Sequence, residues 1–323
     1  MLISDVTSAA KRISGRVVRT PVITLPELDA AVGARVVLKS ELHQHTGAFK
    51  IRGALNKLLA ADPGSRRQGV VAASSGNFGR AVAMVAQQFG IPAHVVLPGD
   101  VPEVKVAAVR AHQAHVVHYD PLRDDRDVIT ADLADRLGLR VLPSSDDPDV
   151  AAGHGTLALE LFDQAGALDL LVVPVGGGGL AAGCATVAKA LNPRIQVVGV
   201  EPADGDDTAR SLRAGHRVSI PTPSTIADGL RHRAPGRFTF EVNSRLLDRI
   251  DTVTNEQIVA AMEFLWRHGR LMAEPSGACA LAALLAHHRG PTGLRIGVVL
   301  SGGNIQPDRF HRMLAADTAA KYV

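Results

Sequence analysis

The sequence contains only two cysteines, Cys184 and Cys279, among 323 residues. Both lie in stretches of small apolar residues, so we expect two buried free thiols rather than a disulfide. The first residues include no long apolar segment of the kind that a signal peptide requires. The scarcity of cysteine and this N-terminal pattern favour a reducing compartment, and we expect a cytoplasmic protein.

Aromatic residues make up only 3% of the sequence, and no run of basic residues is longer than a pair such as Arg66 and Arg67. Nucleic-acid surfaces combine clustered basic side chains with aromatic rings. The net charge of +3 is a small difference between 35 basic and 32 acidic side chains. These features argue against a nucleic-acid partner.

The chain also lacks a continuous apolar segment long enough to span a membrane. Its most apolar window, residues 170–191, contains the four glycines Gly176–Gly179 and the charged Lys189. With 46% hydrophobic and 21% charged residues, the composition is typical of a globular enzyme with a large core. We expect about two domains and no membrane partner.

Short apolar runs alternate with helical patterns along most of the chain. We predict strands at 36–38, 69–73, 93–97, 116–119, 141–142, 170–175, 197–201 and 296–300, and helices at 5–14, 104–111, 127–137, 181–190, 255–268 and 276–288. This alternation predicts two doubly wound α/β domains. We place a small domain at 69–146, inserted in a large domain formed by 1–68 and 147–323, with a ligand site in the cleft between them.

The segment around Lys50 joins the predicted strand at 36–38 to a helical pattern. Thr46 and Gly47 are turn residues, which puts Lys50 in the first helical turn, where a cation opposes the helix dipole. One interpretation is a solvated lysine whose stem covers Phe49. The alternative is an amine that loses its charge by forming a Schiff base with a carbonyl cofactor.

Four consecutive glycines, Gly176–Gly179, lie between a predicted strand and a predicted helix. Glycines allow the backbone to approach an anion, and a helix N-terminus supplies unpaired N–H donors. The segment therefore predicts a phosphate-binding loop. A dinucleotide fingerprint is an alternative, because Glu201 ends the next strand about 20 residues later. That interpretation does not explain Lys50.

Two further strand ends carry polar turns, Ser74–Asn77 and Ser301–Asn304, and Glu274 opens the segment Glu-Pro-Ser-Gly-Ala. Helix capping and chain reversal are the ordinary roles of such residues. For Ser74–Asn77 the local sequence favours capping and ligand binding equally.

These five segments together resemble the fold-type II pyridoxal-phosphate enzymes, in the serine/threonine dehydratase and serine racemase branch. TGAFKIRGA around Lys50 is similar to the family's cofactor-lysine motif, and SSGN, GGGG, EPSGA and SGGN follow in the family's order. The resemblance extends from about residue 17 to residue 305. It implies the tryptophan synthase β-like fold with the active site in the interdomain cleft, pyridoxal 5′-phosphate as cofactor, and a homodimer.

The resemblance also implies residue roles. Lys50 would hold the cofactor and act as general base, Ser75 matches the second acid–base residue of the racemases, and Ser301 would bind the pyridine nitrogen. The implied cofactor-binding residues are Phe49, Lys50, Asn77, Gly176, Gly177, Gly178, Gly179, Leu180, Glu274 and Ser301. The implied substrate-carboxylate residues are Ser74, Ser75, Gly76 and Asn77. A hydroxyl partner such as Ser301 does not enforce a pyridinium, which makes the cofactor a milder electron sink.

An oxygen-rich turn follows the predicted strand at 197–201. Carboxylates in such turns are usually solvated, although hard divalent cations prefer carboxylate and carbonyl oxygens. In the serine racemase branch the matching residues bind Mg²⁺ or Ca²⁺. The resemblance therefore implies a metal site made by Glu201, Gly205 and Asp207.

The implied reaction is β-elimination on a β-hydroxy-amino acid such as threonine or serine, giving a 2-oxo acid and ammonia. Ala48, Phe78 and His154 differ from the usual family pattern, which leaves open hydroxyaspartate or another hydroxylated amino acid. An amino-acid racemase on the same scaffold is a further alternative. From other classes, we retain an NAD-dependent oxidoreductase and a small-molecule binding protein without catalytic activity.

Overall fold

A computed structural model of the chain describes residues 1–74, 76–101, 103–120, 122–288 and 292–320, with side chains to residue 315. The helices are α1 (Ile3–Ile13), α2 (Pro26–Val32), α3 (Lys50–Ala60), α4 (Pro63–Arg66), α5 (Asn77–Phe89), α6 (Glu103–Arg110), α7 (Arg126–Leu137), α8 (Pro148–Ala165), α9 (Gly179–Leu191), α10 (Asp207–Ala214), α11 (Arg237–Leu246), α12 (Asn255–Gly269), α13 (Pro275–His287) and α14 (Pro307–Ala320). The strands are β1 (Val22–Ile23), β2 (Arg35–Ser40), β3 (Val70–Ala73), β4 (Ala93–Pro98), β5 (His115–Tyr119), β6 (Arg140–Val141), β7 (Leu170–Pro174), β8 (Gln196–Pro202), β9 (Arg249–Val253) and β10 (Arg295–Leu300).

The strands form two separate sheets. The larger has the order β1-β2-β10-β7-β8-β9, and the smaller has the order β5-β4-β3-β6. All pairs are parallel except β1 with β2. In the larger sheet Val298 pairs with Leu38 on one side and with Val172 on the other. The predicted α/β architecture with a parallel sheet in each half is confirmed.

The larger sheet is buried on both faces. Consecutive residues of a strand point to opposite sides, so Val172 lies in the apolar cluster that contains Leu281 of α13, while Val173 lies in the cluster that contains Leu157 of α8. Every residue of β7 is buried, which explains its continuous apolar sequence. Helices on both sides of the sheet therefore hold its carboxyl edge in a fixed position.

Helix α3 packs against both halves of the molecule. Ile51 and Leu55 belong to the apolar cluster of the smaller sheet, which includes Val70. On the opposite side, a Cβ atom on Gly153 of α8 would lie 2.5 Å from the backbone oxygen of Arg52. This close packing places the N-terminus of α3 where the two sheets meet. The boundaries of the two domains, 68/69 and 146/147, remain predictions.

A buried network of ion pairs holds the first turn of α3 in place. Arg52 is fully buried and donates from Nε to Glu41 Oε2 at 2.8 Å and from Nη1 to Glu160 Oε1 at 2.7 Å. Lys39 Nζ donates to Glu160 Oε2 at 2.7 Å. Burial alone disfavours the Arg52 cation, but the two carboxylates outweigh it and raise the pKa of Arg52. Two cations and two carboxylates thus neutralise one another inside the core.

Cys184 and Cys279 are buried free thiols, as the sequence predicts. Among the described residues, no helix has the length and apolar character needed to cross a membrane.

Candidate active site

Lys50 is the first residue of α3, at the strand-to-helix junction expected from the sequence. The chain just before it runs beside the segment that follows β10. Phe49 N donates to Ser301 O at 3.1 Å, and Ala48 and Gly302 form an isolated antiparallel bridge. The structure therefore brings Lys50 and Ser301 to the same edge of the larger sheet.

The Lys50 amine lies in an apolar setting. Its Nζ donates to Ser144 O at 2.8 Å and lies 5.0 Å from the ring centroid of Phe49 and 5.8 Å from that of Phe78. Within the described ranges Lys50 forms no ion pair with a carboxylate. Burial lowers the pKa of Lys50 to about 8, because desolvation penalises an ammonium ion. The neutral, nucleophilic fraction of the amine near physiological pH is therefore much larger than for an exposed lysine.

The glycine loop lies between β7 and α9, as predicted. Gly178 has φ of +87°, which favours glycine. Thr239 Oγ1 of α11 donates to Gly177 O at 2.8 Å, and Asn243 Nδ2 donates to Gly178 O at 3.1 Å. With the loop carbonyls held by α11, the N–H groups of the first turn of α9 remain as donors.

Side chains also leave no room for a larger residue in this loop. A Cβ on Gly177 would lie 2.1 Å from Ser145 Oγ, and one on Gly178 would lie 2.8 Å from Asn243 Nδ2. Ser145 follows Ser144, the residue whose carbonyl accepts from Lys50. The Ser144–Ser145 segment therefore connects the Lys50 amine to the glycine loop, and we place the predicted cleft beside them. A loop of this type at a helix N-terminus fits a phosphate group.

Asn77, Glu274 and Asn304 connect the smaller sheet to this cleft. Asn77 Nδ2 at the start of α5 donates to Glu274 Oε1 at 2.6 Å, and Asn304 Nδ2 donates to Asn77 Oδ1 at 2.7 Å. Burial and the charge of Asp228 raise the pKa of Glu274 to about 8. Ser301 Oγ donates to Ser276 O at 3.3 Å. Three of the predicted cofactor-binding side chains, those of Asn77, Glu274 and Ser301, thus lie in one region.

The predicted substrate-carboxylate turn lies at the N-terminus of α5. Ser74 Oγ accepts from Gly76 N at 3.3 Å. A Cβ placed on Gly76 would meet no atom within 4 Å, so the turn borders open space. Ser75, the predicted second acid–base residue, lies outside the described residues.

The three departures from the family pattern have structural consequences. Ala48 is fully buried, and Phe78 belongs to the apolar cluster beside α3. His154 packs edge-on against Phe49, with ring centroids 4.6 Å apart. Burial, with the charges of Lys50 and Arg52, lowers the pKa of His154 well below its usual value. The neutral imidazole ring of His154 therefore packs against Phe49, the residue that precedes Lys50.

The sequence did not indicate His232 as a site residue. Its ring packs on the glycine loop, where a Cβ on Gly176 would lie 3.0 Å from Nδ1. Burial, the Lys50 charge and the Arg126 charge lower the pKa of His232 to about 4. His232 follows a short 3-10 helix (Asp228–Leu230) in an irregular segment, where no periodic pattern could have singled it out.

The oxygen-rich turn contains two buried carboxyl groups. Glu201 accepts from Thr208 N at 3.0 Å and Ala209 N at 2.9 Å, and burial together with the Asp207 charge raises its pKa to about 8. Burial also raises the pKa of Asp207 to about 7. Neither Asp207 carboxylate oxygen has a hydrogen-bond partner among the described residues.

Gly205, the third predicted metal ligand, is buried at the end of a short 3-10 helix (Ala203–Gly205). In the part of the chain that the structure describes, no group of three His, Cys, Asp or Glu side chains could hold a metal. The predicted set combines only two carboxyl groups with a backbone carbonyl, so it remains a prediction.

Comparisons with known proteins agree with this geometry. A family model described as pyridoxal-phosphate dependent enzyme matches residues 13–302. L-threo-3-hydroxyaspartate ammonia-lyase of Pseudomonas sp is 42% identical over 310 residues, which are 96% of this chain and 97% of that protein. Serine racemase of Schizosaccharomyces pombe is 40% identical over 311 residues, covering 96% of each chain. The solved structure of maize serine racemase has a TM-score of 0.93 and 35% identity, covering 100% of this chain and 99% of that one.

Proposed function

The chain belongs to the fold-type II family of pyridoxal-phosphate-dependent enzymes, and from this we propose that it is an ammonia-lyase acting on 3-hydroxyaspartate. The observation that carries the proposal is the similarity to L-threo-3-hydroxyaspartate ammonia-lyase over nearly the full length of both chains. The sequence alone put threonine or serine first and hydroxyaspartate among the alternatives. The comparisons support the hydroxyaspartate alternative better.

Pyridoxal phosphate is the cofactor of this family, and the cleft fits it. The first-turn amides of α9 and the tightly packed glycines suit its phosphate, and the Lys50 amine suits its aldehyde. When bound, the cofactor supplies an electron sink for charge that develops at the substrate α-carbon. The residues we assign to it are Phe49, Lys50, Asn77, Gly176, Gly177, Gly178, Gly179, Leu180, Glu274 and Ser301.

Lys50 is the group that we assign to proton transfer. Its lowered pKa makes the amine an effective base near neutral pH. We propose that Nζ takes the proton from the substrate α-carbon and passes it to the β-hydroxyl, which departs as water. Hydrolysis of the dehydrated product then gives a 2-oxo dicarboxylic acid and ammonia. The apolar rings of Phe49 and Phe78 support this role by excluding water from the amine.

The turn Ser74–Asn77 is the proposed site of the substrate α-carboxylate. It stands at the N-terminus of α5, where helix N–H groups and the dipole favour an anion. Open space at Gly76 supports access for a ligand. The carboxylate would then lie across the cleft from Lys50.

Racemisation of serine or aspartate is the second candidate, supported by the similarity to serine racemase of Schizosaccharomyces pombe. In this proposal Ser75 exchanges a proton on the face opposite Lys50. Ser75→Ala would abolish inversion of the α-carbon but leave proton exchange from one face. Chiral chromatography and proton exchange in ²H₂O separate the two candidates.

We also propose that Glu201, the Gly205 carbonyl and Asp207 hold Mg²⁺ or Ca²⁺. The buried Asp207 oxygens that lack partners among the described residues support it, because an unpaired buried carboxylate is unfavourable. A homodimer and a cytoplasmic location remain further proposals.

The decisive test is a comparison of substrates. We expect purified holoenzyme to release ammonia from L-threo-3-hydroxyaspartate with a higher kcat/KM than from L-threonine or L-serine. A higher value for threonine or serine would contradict the proposed substrate, and racemisation without ammonia release would favour the second candidate.

A further inference from the structure

His232 packs against the glycine loop, in a region influenced by the charge of the reacting lysine. A Cβ on Gly176 would lie 3.0 Å from its Nδ1, and one on Gly177 would lie 3.1 Å from its Nε2. The imidazole ring therefore packs against the part of the loop that precedes α9. The charge of Lys50 also acts on His232.

The segment that carries His232 is held in place by hydrogen bonds. Gly229 N donates to Ser276 Oγ at 3.0 Å, Arg231 Nε donates to Thr225 O at 2.9 Å, and His232 N donates to Leu230 O at 3.0 Å. A polar side chain on a fixed backbone is suited to recognition, because little ordering is needed when a ligand binds.

The hydrogen-bonding capacity of the His232 ring is not fully used by the described part of the protein. Nδ1 is buried and has no hydrogen-bond partner among the residues that the structure describes. A histidine that serves only to pack the loop would leave that atom unsatisfied at a cost in free energy. A ligand atom at this side of the cleft would satisfy it.

The charges around His232 indicate which ligand this is. Lys50 and Arg126 both disfavour a second positive charge here, and together with burial they keep the imidazole neutral. Lys50 is assigned to the cofactor, so the Arg126 charge is the one that remains to attract an anion. A carboxylate placed beside His232 would gain a hydrogen bond from the ring and a favourable potential from Arg126.

Two anions could reach this part of the cleft, the cofactor phosphate and a second carboxylate of the substrate. The phosphate has its own donors in the first turn of α9, whereas His232 contacts the loop at Gly176 and Gly177, before that helix begins. The α-carboxylate has the turn Ser74–Asn77. A second substrate carboxylate is the anion that still requires a partner.

We propose that His232 is the specificity-determining residue of this enzyme and that it donates a hydrogen bond to the second carboxylate of a dicarboxylic amino-acid substrate. The proposal rests on the proposed ammonia-lyase function and adds the residue that selects 3-hydroxyaspartate over serine and threonine.

Kinetics of the holoenzyme test it. We expect His232→Ser to lower kcat/KM for L-threo-3-hydroxyaspartate by about 10- to 100-fold, the range for a lost hydrogen bond to a charged group, while kcat/KM for L-serine changes much less. His232→Gln, which keeps an N–H donor, retains part of the preference. His216→Ser, at an exposed histidine whose Nδ1 lies 3.0 Å from Ala214 O, is the matched control and leaves both values unchanged. An equal loss with both substrates would overturn the proposal.

Equilibrium binding gives an independent readout. By calorimetry on holoenzyme, wild type binds succinate more tightly than butyrate, which has the same four carbons and one carboxylate, and His232→Ser removes this difference. Cofactor occupancy, read from its absorbance, stays the same in the variant. A lost cofactor would instead make His232 a phosphate ligand, and an unchanged preference for succinate would remove its role; either result overturns the proposal.

The two proposals fail in different ways. If wild type releases no ammonia from 3-hydroxyaspartate but binds succinate through His232, the reaction is wrong and the carboxylate site stands. If wild type is active and His232→Ser keeps its substrate preference, the reaction stands and the carboxylate site is wrong.

Discussion

Asn77, the first residue of α5, donates a hydrogen bond of 2.6 Å to Glu274, the residue that precedes α13. This contact joins the smaller sheet to the larger one across the cleft. Because burial and Asp228 raise the pKa of Glu274 to about 8, the accepting group is largely a neutral carboxyl at physiological pH. The Asn77 amide can donate to Glu274 Oε1 whether the carboxyl group is neutral or ionised. We therefore expect this hydrogen bond to persist as the pH changes.

We expect Lys50→Ala to lose elimination by at least about a thousandfold, since the general base and the covalent anchor are removed together. The glycine loop remains, so the variant still binds free pyridoxal phosphate. Borohydride treatment of wild type should fix the cofactor to the peptide that contains Lys50, as read by mass spectrometry. Lys11→Ala, at an exposed lysine of α1, is the control. Wild-type turnover in Lys50→Ala would rule out the mechanism.

The pKa of Lys50 predicts a pH dependence for cofactor attachment to the apoenzyme. Only the neutral amine attacks an aldehyde, so the rate rises with pH up to about 8 and then levels off. If the lysine had an ordinary pKa, the rate would continue to rise up to about pH 10. Stopped-flow absorbance between pH 6 and 10 distinguishes the two profiles.

Gly177→Ala should impair the phosphate site. The new Cβ would lie 2.1 Å from Ser145 Oγ, and such overpacking typically costs about 1–3 kcal/mol of stability. We expect weaker cofactor binding in a fluorescence titration, together with a lower Tm. The double variant Gly177→Ala/Ser145→Gly removes the clashing side chain and should recover much of the loss. If the single variant binds cofactor like wild type, the loop is not the phosphate site.

Arg52→Met should lower the free energy of unfolding by about 3–5 kcal/mol, because Glu41 and Glu160 lose their shared buried partner. Arg136→Met breaks the exposed pair with Asp132 and should cost less than about 1 kcal/mol. Urea unfolding of both variants measures the difference. Similar costs would show that the Arg52 network adds no more than a surface ion pair.

Stability without divalent cations should fall as pH rises from about 5 to 8. The pKa values of Glu201 and Asp207 are raised above their unfolded values, so the folded state binds more protons in this window. It loses stability as these protons dissociate, by at most about 1.4 kcal/mol per pH unit per group. Mg²⁺ or Ca²⁺ should flatten this slope if the metal site exists. Thermal melts with and without the cations test this, and Asp207→Asn should abolish the cation effect.

The sequence predicted the central part of the fold because buried parallel strands carry continuous apolar runs. The predicted strand at 197–201 lies within β8, and the one at 296–300 lies within β10. The edge strand β9 was missed, since its sequence Arg-Ile-Asp-Thr-Val is half polar and mostly half-buried. Helix α11 was missed as well, because the buried side chains Thr239 and Asn243 are polar and interrupt the apolar periodicity.

Only part of the candidate site could be predicted from the sequence. Lys50, the glycine loop and Ser301 belong to segments with recognisable motifs, and the structure places them around one cleft. Ser144, Ser145 and His232 had no such signal, because they reach the cleft from irregular segments through long-range packing. We expect substrate choice to depend on side chains of this kind, so the sequence indicated the family but not the substrate.

Because α3 and α8 pack closely at Gly153, a substitution at this position would impair the active site from a distance. Any side chain there would press on the carbonyl of Arg52 and shift the helix whose first residue is Lys50. In a library of random variants, replacements at this position would score as inactive alongside true active-site changes, although residue 153 need never touch a ligand.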